Sequence, residues 1–183
     1  MGEWFGEAGG EHPEVVSYEP SWPARFDEIA ASIGRCVPGA IAVDHIGSTA
    51  VPGLAAKPVI DVQIVVRDLE DEAAYRPGLE ALGIPLRARE VGRRFFRPPA
   101  GSPRTAHIHV VAADSQLARD TVGLRDYLRA HDERRDAYAR LKLALSNTPG
   151  MNRGSYQRGK AQLVLALIDE ARQWAAHAAD EKR

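Results

Sequence analysis

The sequence has almost no cysteine: Cys36 stands alone among 183 residues. A single cysteine excludes an internal disulfide, so the fold has to be stabilised by a buried core, and a chain of this length is large enough to form one. The lack of disulfides is typical of proteins that work in reducing compartments. We therefore predict a cytoplasmic location.

Long apolar runs and an excess of charge of one sign are also missing. No segment is long and apolar enough to cross a bilayer, and the N-terminus lacks the basic cluster and apolar run of a secretory signal. The formal net charge is −1 at pH 7, which provides no general attraction to nucleic acid or to an acidic membrane surface. We therefore expect no membrane partner, and the composition disfavours nucleic acid.

Lysine is scarce in this chain. Only four of the 24 basic residues are lysines, and the remaining 24 − 4 = 20 are arginines. A GC-rich genome accounts for this bias, which makes each lysine in an apolar or glycine-rich segment more informative than usual. The four are Lys57, Lys142, Lys160 and Lys182.

Hydrophobic periodicity predicts an α+β fold. The predicted strands cover residues 40–46, 59–66 and 106–113, with two more on either side of Val91 and Gly92. The predicted helices cover residues 21–33, 68–82, 116–131, 132–146 and 155–179. Because strands dominate the first two thirds of the chain and helices the last third, we expect a mixed sheet of about five strands, flanking helices and a C-terminal helical cluster.

The chain shows no internal repeat and no linker long enough to divide it. Residues 1–14 are rich in glycine and glutamate and are predicted to form a flexible leader. Residues 15–183 are predicted to form a single domain, since one core suits a chain of this size.

The first candidate site lies in the stretch DHIGSTAVPGLAAKPVIDVQIVV, residues 44–66. Gly47 and Ser48 follow a predicted strand, and a strand that ends in Gly-Ser is able to present backbone N–H groups and a hydroxyl to a phosphate. The alternative is a tight turn in which glycine adopts a positive φ and serine caps the backbone. The stretch contains neither the P-loop pattern nor the Gly-x-Ser-x-Gly nucleophile elbow.

Asp61 is a lone carboxylate in an apolar strand. Alternation places Asp61 and Gln63 on one face and Ile60 and Val62 on the other. A carboxylate on a central strand costs free energy unless a cation or several hydrogen-bond donors meet it. Strand carboxylates coordinate Mg²⁺ in phosphoryl chemistry, so Asp61 is the candidate catalytic residue and a candidate metal ligand. A structural acceptor that caps a loop is the alternative.

His107 and His109 lie two positions apart, so strand alternation puts both imidazoles on the same face. Two such imidazoles are able to share a metal ion or to flank a phosphate, and the alternative is a polar, half-exposed strand face. His45 lies near the end of an earlier strand. If the sheet brings His45 and Asp61 to this pair, the four side chains form a site for a transition metal.

Single cations elsewhere in the chain are candidates for phosphate binding. Lys57 lies just before the strand of Asp61, where its ammonium is able to reach a phosphate held by the Gly-Ser turn. Arg125 and Arg129 are one turn apart on a predicted helix, and Lys160 lies on the last helix. The alternative for each is a solvated or ion-paired surface cation.

An arginine cluster alternates with apolar residues, including Phe95 and Phe96, between Leu86 and Ala106. Its members are Arg87, Arg89, Arg93, Arg94, Arg97 and Arg104. Such a cluster is able to bind RNA or polyphosphate. A solvated strand face is the simpler interpretation.

Several segments together resemble one family, GrpB (UPF0157). They are YEPSWPARFDEIA, DHIGSTAVPGLAAKPVIDVQIVV, HIHVV, LRDYLRAH, YARLKLALS and YQRGKAQLV. The resemblance covers about residues 15–175, and the long His-Ile-Gly-Ser-Thr-Ala-Val-Pro-Gly-Leu signature makes it specific. The family is part of the nucleotidyltransferase-fold superfamily, so the resemblance implies a nucleotidyltransferase-like sheet within residues 15–183.

The resemblance also implies roles for particular residues. In the superfamily, a Gly-Ser turn precedes a strand that bears Asp-x-Asp/Glu, and a third carboxylate lies on another strand. The carboxylates hold two Mg²⁺ ions and a nucleotide triphosphate. Gly47 and Ser48 match the turn, and Asp61 matches the first carboxylate.

The chain departs from this pattern at the other two carboxylates. Gln63 occupies the second position, and the third strand carries His107 and His109 instead of an acid. Glutamine and imidazole bind Mg²⁺ poorly and bind softer metals better. The expected cofactor is a divalent metal, which is Mg²⁺ by superfamily resemblance and Zn²⁺ or Mn²⁺ if the histidines are ligands.

The leading hypothesis is a nucleotidyltransferase-like protein that binds a nucleotide or another phosphorylated small molecule. Gly47 and Ser48 would hold phosphate, and Lys57, Arg125 and Lys160 would neutralise its charge. An active protein would transfer a nucleotidyl group to a small acceptor by in-line attack. The alternatives are an inactive member of the fold that serves as a ligand-binding or interaction module, and a metal-dependent hydrolase built on the aspartate and the three histidines.

Overall fold

The structure is a computed structural model that describes residues 3–4 and 14–180. The strands are β1 (Glu3–Trp4), β2 (Ala40–Ile46), β3 (Ile60–Val66), β4 (Leu86–Glu90), β5 (Arg93–Phe96) and β6 (Ala106–Ala112). The helices are α1 (Trp22–Cys36), α2 (Arg76–Ala81), α3 (Gln116–Ala130), α4 (Asp132–Ser146) and α5 (Arg153–Asp180), with short 3-10 helices at Ser48–Ala50 and Glu72–Ala74. Most of the predicted leader and Lys182 lie outside the described residues.

The described strands form one six-stranded mixed sheet with the order β1-β4-β5-β6-β3-β2. β3 pairs with β6 in parallel and with β2 in antiparallel orientation, and the other neighbours are antiparallel. The central place of β3 explains its nearly continuous apolar sequence. β2 and β3, the two strands that flank the Gly-Ser turn, are neighbours in this sheet. The predicted α+β architecture and the C-terminal helical cluster are confirmed.

The helix predicted over residues 68–82 is wrong in its first half. Asp68 Oδ1 accepts a hydrogen bond from the Glu70 N–H at 2.9 Å, so this side chain closes a turn instead of capping a helix. A 3-10 turn follows, and α2 begins only at Arg76. Pro77 lacks a backbone N–H, which suits the first turn of a helix but not its interior.

One face of the sheet, the core face, packs against α1 and α2. α1 buries Trp22 and Ile33 completely, and β3 meets them with Ile60, Val62 and Ile64, each also fully buried. Each fully buried aliphatic side chain of this size contributes roughly 1.5–3 kcal/mol. The alternation predicted for β3 is therefore confirmed, with its apolar positions on the core face.

The opposite face of the sheet, the site face, is covered by α3, α4 and α5. Gln63 of β3 donates a hydrogen bond from Nε2 to the Ala118 carbonyl of α3 at 3.3 Å. A second apolar cluster joins the three helices to the segment after the Gly-Ser turn. Its buried members are Val51, Leu54, Tyr127, Leu128, Tyr138, Leu167 and Ala171. The turn is thus fixed between the sheet and the helices.

The longest helix, α5, has 28 residues. That length exceeds the roughly 20 residues needed to cross a bilayer. Charged residues recur along α5, however, and no helix in the described part of the chain is apolar enough to span a membrane.

Candidate functional site

A cavity of about 730 Å³ lies between the site face of the sheet and helices α4 and α5. The predicted site residues that line it are Gly47, Ser48, Lys57, Asp61, His107, His109 and Lys160. The structure therefore brings seven of the nine candidates together. His45 and Arg125 do not line the cavity.

The Gly-Ser turn lines this cavity in a backbone conformation that favours glycine at position 47. Gly47 has φ +68°, a conformation that L side chains rarely adopt. A Cβ on Gly47 would lie 2.5 Å from Asp61 Oδ2, well inside van der Waals contact. The glycine thus allows the turn to pass directly over the carboxylate. The two alternatives considered for the turn, a phosphate cradle and a positive-φ glycine, are compatible.

The Ser48 hydroxyl is held by a lysine of α4. Its Oγ accepts a hydrogen bond from Lys142 Nζ at 2.9 Å. Lys142 Nζ donates a second hydrogen bond to the Ala55 carbonyl. An ammonium and a hydroxyl therefore meet at the turn, which is an arrangement suited to an anionic oxygen.

Arg125 and Arg129 brace the backbone of the turn from α3. Arg125 Nη1 donates to the His45 carbonyl at 3.1 Å, and its Nε and Nη2 bind the Asp126 carboxylate. Arg129 donates to the Ala50 carbonyl from Nε and Nη2, at 2.9 and 2.7 Å. The assignment of Arg125 as a phosphate ligand is therefore corrected. Its guanidinium is engaged by the backbone and by a carboxylate of its own helix, outside the cavity.

Asp61 faces both histidines of the pair and accepts a hydrogen bond from His107. The parallel register places His107 beside Asp61, and His107 Nδ1 lies 3.2 Å from Asp61 Oδ1. His109 Nε2 lies 3.6 Å from the same oxygen. Burial alone would raise the pKa of Asp61, but hydrogen bonds from the two imidazoles outweigh it and hold this pKa well below its usual range. The carboxylate is therefore ionised, and its charge is met by imidazole N–H groups.

Arg93 fixes the orientation of His109. Arg93 Nη1 lies 3.2 Å from His109 Nδ1, and because a guanidinium only donates, Nδ1 is the acceptor and Nε2 carries the hydrogen. That hydrogen points to Asp61. Burial lowers the pKa of His109, so the imidazole is neutral and acts as a donor to the carboxylate.

His45 is not part of this cluster, which corrects the prediction of three converging histidines. In the antiparallel register it is Ile46 that lies opposite Asp61, whereas His45 lies opposite Val62 on the core face. Its ring stacks on Phe26 of α1 at 4.7 Å between centroids, and its Nε2 lies 3.0 Å from Thr49 Oγ1. Burial, with Arg129 nearby, lowers the pKa of His45 to about 4. His45 is a structural histidine of the core.

The donor set does not fit a two-metal centre. Gln63, at the expected second carboxylate, is buried and donates its amide to Ala118. His107 and His109, on the strand expected to carry the third carboxylate, both lie close to Asp61. Within residues 14–180, no group of three or more histidine, cysteine or acidic side chains is arranged to hold a metal ion. One carboxylate that already faces two imidazole N–H groups is a poor substitute for three carboxylates.

Three of the four lysines converge on the cavity instead. The Nζ atoms of Lys57 and Lys160 lie 4.8 and 5.4 Å from the centroid of the Tyr156 ring. Lys142 Nζ lies 4.5 Å from the centroid of Tyr138. The aromatic rings offer their negative faces to the ammonium groups, but none of these lysines forms an ion pair with a carboxylate of the described residues.

Burial lowers the pKa of all three lysines. It brings the pKa of Lys142 to about 7, with the positive charge of Lys160 adding to the effect, and the pKa of Lys57 to about 8, with Lys160 again the next cause. The pKa of Lys160 is lowered in the same direction. The site thus holds crowded positive charge, and an anion of matching size would relieve it.

Lys142 is the site residue that the sequence did not reveal. The sequence places it on a predicted helix, where a lysine is usually a solvated surface cation, yet it is 2% exposed. The available signal was its spacing, because Tyr138, Lys142 and Ser146 recur every four residues along α4 and are all buried. A lysine on the buried stripe of a helix in a lysine-poor chain is therefore a candidate site residue.

The arginine cluster between Leu86 and Ala106 is neither an open basic patch nor a solvated face. Arg89 and Arg94 bind Glu72 through hydrogen bonds of 2.6 to 3.0 Å, and Arg94 also binds Glu70 at 2.6 Å. Two members face the cavity, namely Arg93 and Arg104. The cluster therefore supports the sheet edge and adds positive charge to the site.

Comparison with solved structures first defines the class of fold. The chain superposes on a nucleotidyltransferase-fold protein, in the structure of the GLD-2/RNP-8 complex, with a TM-score of 0.52 and 18% identity. The match covers 84% of this chain and 60% of the other. At this identity the likeness shows the fold alone, and the predicted nucleotidyltransferase fold is confirmed.

The family follows from more similar proteins. The crystal structure of the conserved protein GrpB from Enterococcus faecalis matches with a TM-score of 0.77 and 29% identity, covering 88% of this chain and 99% of the other. A UPF0157 protein of Halalkalibacterium halodurans is 38% identical over 159 residues, which is 86% of this chain and 81% of the relative. The family model described as GrpB protein matches residues 12–170. The chain belongs to the GrpB family.

Proposed function

We propose that the cavity binds a nucleotide or another phosphorylated small molecule, with a phosphate group at Gly47 and Ser48. The observation that carries this proposal is the convergence of Lys57, Lys142 and Lys160 on the cavity that the Gly-Ser turn lines. A phosphate there would receive the serine hydroxyl and at least one ammonium. Each charge-assisted hydrogen bond of this kind contributes roughly 1.5–3 kcal/mol.

The charge balance of the cavity supports an anionic ligand. Its described lining includes six cationic side chains and three carboxylates. The cations are Lys57, Arg93, Arg104, Lys142, Arg153 and Lys160, and the carboxylates are Glu14, Asp61 and Glu90. The chain as a whole carries a net charge of −1, so this positive charge is local and marks the cavity within an otherwise balanced protein.

The geometry disfavours two other functions, metal-dependent hydrolysis and nucleotidyl transfer by two metal ions. The metal-dependent hydrolase needs three histidines around Asp61, and His45 lies on the other face of the sheet. Nucleotidyl transfer by two metal ions needs carboxylates at the position of Gln63 and on the strand that carries His107 and His109. The geometry therefore favours binding without transfer, as in an inactive member of the fold that serves as a ligand-binding module.

Calorimetric titration with ATP, CTP and pyrophosphate tests the proposal. We expect binding by wild type and about tenfold to a hundredfold weaker binding by Lys160→Ala, since one phosphate contact is lost. The matched control is Arg158→Ala, which removes one charge from an exposed position of the same helix. If wild type binds none of these anions, the cavity is not a phosphate site, and the interaction-module alternative replaces it.

Product analysis separates binding from transfer. Wild type incubated with labelled ATP and divalent metal is examined for release of pyrophosphate and for labelled adducts. We expect binding without turnover. Turnover that is lost in Asp61→Asn would restore nucleotidyl transfer as the function.

A further inference from the structure

We propose that the ligand enters this site as a metal-free polyanion, and that the ammonium groups of Lys57, Lys142 and Lys160 supply the positive charge that a divalent ion supplies to a bound nucleotide. This inference rests on the proposed function, because it specifies the form of the anion in the same cavity. The ligand class is a free diphosphate, triphosphate or comparably charged phosphate ester.

The first argument is the donor set on the site face. A divalent ion bound to the phosphates would need carboxylate oxygens from β3 and β6. Asp61 is the carboxylate that the two strands place there, and its Oδ1 is the atom that both His107 and His109 approach, at 3.2 and 3.6 Å. A metal ion would have to displace these N–H donors from Asp61, and Asp61 would then be its single charged ligand from the two strands.

The second argument is the direction in which Gln63 points. Its amide nitrogen donates to the Ala118 carbonyl, which fixes the side chain against α3. The residue is 1% exposed, so its amide is committed to packing between the sheet and the helix. Gln63, at the position of the second metal-binding carboxylate, therefore links the sheet to α3.

The third argument is where the positive charge sits. Lys142 lies against Ser48 at the Gly-Ser turn, and Lys57 and Lys160 flank the ring of Tyr156. Ammonium groups on three segments surround the space that phosphates would fill. A Mg²⁺ ion added to the same phosphates would reduce their negative charge and would be repelled by the lysines. The site therefore favours the free anion over its magnesium complex.

Titration calorimetry with pyrophosphate and ATP, in excess EDTA and then in excess Mg²⁺ at matched ionic strength, tests this inference. We expect affinity to fall by about tenfold in Mg²⁺, which corresponds to the loss of one strong charge contact. AMP serves as the ligand control, because a monophosphate binds Mg²⁺ weakly and its affinity should hardly change.

Three outcomes are distinguishable. Equal or tighter binding of ATP and pyrophosphate in Mg²⁺ overturns the metal-free site and leaves the phosphate-binding function in place. If wild type binds neither ligand in EDTA or in Mg²⁺, the proposed function itself is overturned. Weaker binding in Mg²⁺ for wild type, with a smaller magnesium effect in Lys160→Ala, supports both.

Discussion

Lys142 Nζ lies 2.9 Å from Ser48 Oγ although the two residues are 94 positions apart. This contact joins the last third of the chain to the turn that follows β2. It places a buried ammonium on the hydroxyl that the sequence predicts to bind phosphate. The contact has consequences for stability, for ligand binding and for pH dependence.

The stability of the protein should rise with pH above neutrality because of Lys142. Its pKa is about 7 in the folded state and 10.5 as the ordinary value, so between these pH values the unfolded chain holds a proton that the folded chain has released. The free energy of unfolding then increases with pH, by up to about 1.4 kcal/mol per unit for one group. Urea unfolding of wild type and Lys142→Met at pH 7 and pH 9 measures the difference.

For Lys142→Met we expect the free energy of unfolding to increase less between pH 7 and pH 9 than it does for wild type. Arg140→Ala, which removes an exposed cation from the same helix, should retain the wild-type pH dependence. Equal pH dependence in all three proteins would show that Lys142 titrates in the folded state as it does in the unfolded chain.

Anion binding should be accompanied by proton uptake near pH 8. Lys142 and Lys57, with pKa values of about 7 and 8, are partly deprotonated there, and a bound phosphate favours their charged forms. Affinity should therefore decrease as the pH rises through this range. Titration of pyrophosphate at pH 8 in buffers of different ionisation enthalpy reports the protons taken up, and an apparent enthalpy independent of the buffer would contradict the prediction.

Gly47→Ala should destabilise the protein more than Gly92→Ala. Both glycines have a positive φ, +68° and +74°, but a Cβ at Gly92 meets nothing within 4 Å, whereas one at Gly47 meets Asp61. We expect a loss of about 1–2 kcal/mol for Gly92→Ala from backbone strain alone and a larger loss for Gly47→Ala from strain and steric overlap. Urea unfolding of both variants checks this, and equal losses would mean that the turn moves freely away from the carboxylate.

Arg125→Ala should act on stability more than on affinity. The change removes the hydrogen bond to the His45 carbonyl, and a buried acceptor left without its partner costs about 1–3 kcal/mol. The loss of pyrophosphate affinity should be smaller than for Lys160→Ala. A variant that unfolds like wild type but binds pyrophosphate as weakly as Lys160→Ala would return Arg125 to the set of phosphate ligands.

Local chemistry and strand alternation were enough to predict much of the site. The alternation of side chains along the strand over 59–66 places Asp61 and Gln63 on one face. The Gly-Ser turn directly follows the strand over 40–46, which pairs with it. His107 and His109 share a face for the same reason. These inferences hold because each depends on residues close in sequence.

The remaining features depend on register and on long-range packing, which a single sequence does not contain. His45 is one position from Ile46, the residue that faces Asp61, and only the observed pairing of β2 with β3 decides which of them turns to the cavity. Lysine side chains are mostly exposed, so the residue type of Lys142 predicts a position in solvent. The fold buries it because α4 covers the site face at that point.

The parallel register of β3 and β6 couples the chemistry of the cavity to the packing of the core. Asp61 lies beside His107 and Gln63 beside His109, while Ile108 lies beside Val62 on the reverse side. One residue inserted into β6 would exchange the two sides, burying an imidazole among aliphatic side chains and turning an isoleucine to the cavity. Substitutions at these positions therefore change the lining of the cavity without moving the core, whereas a change of length is tolerated only in the loops that connect the strands.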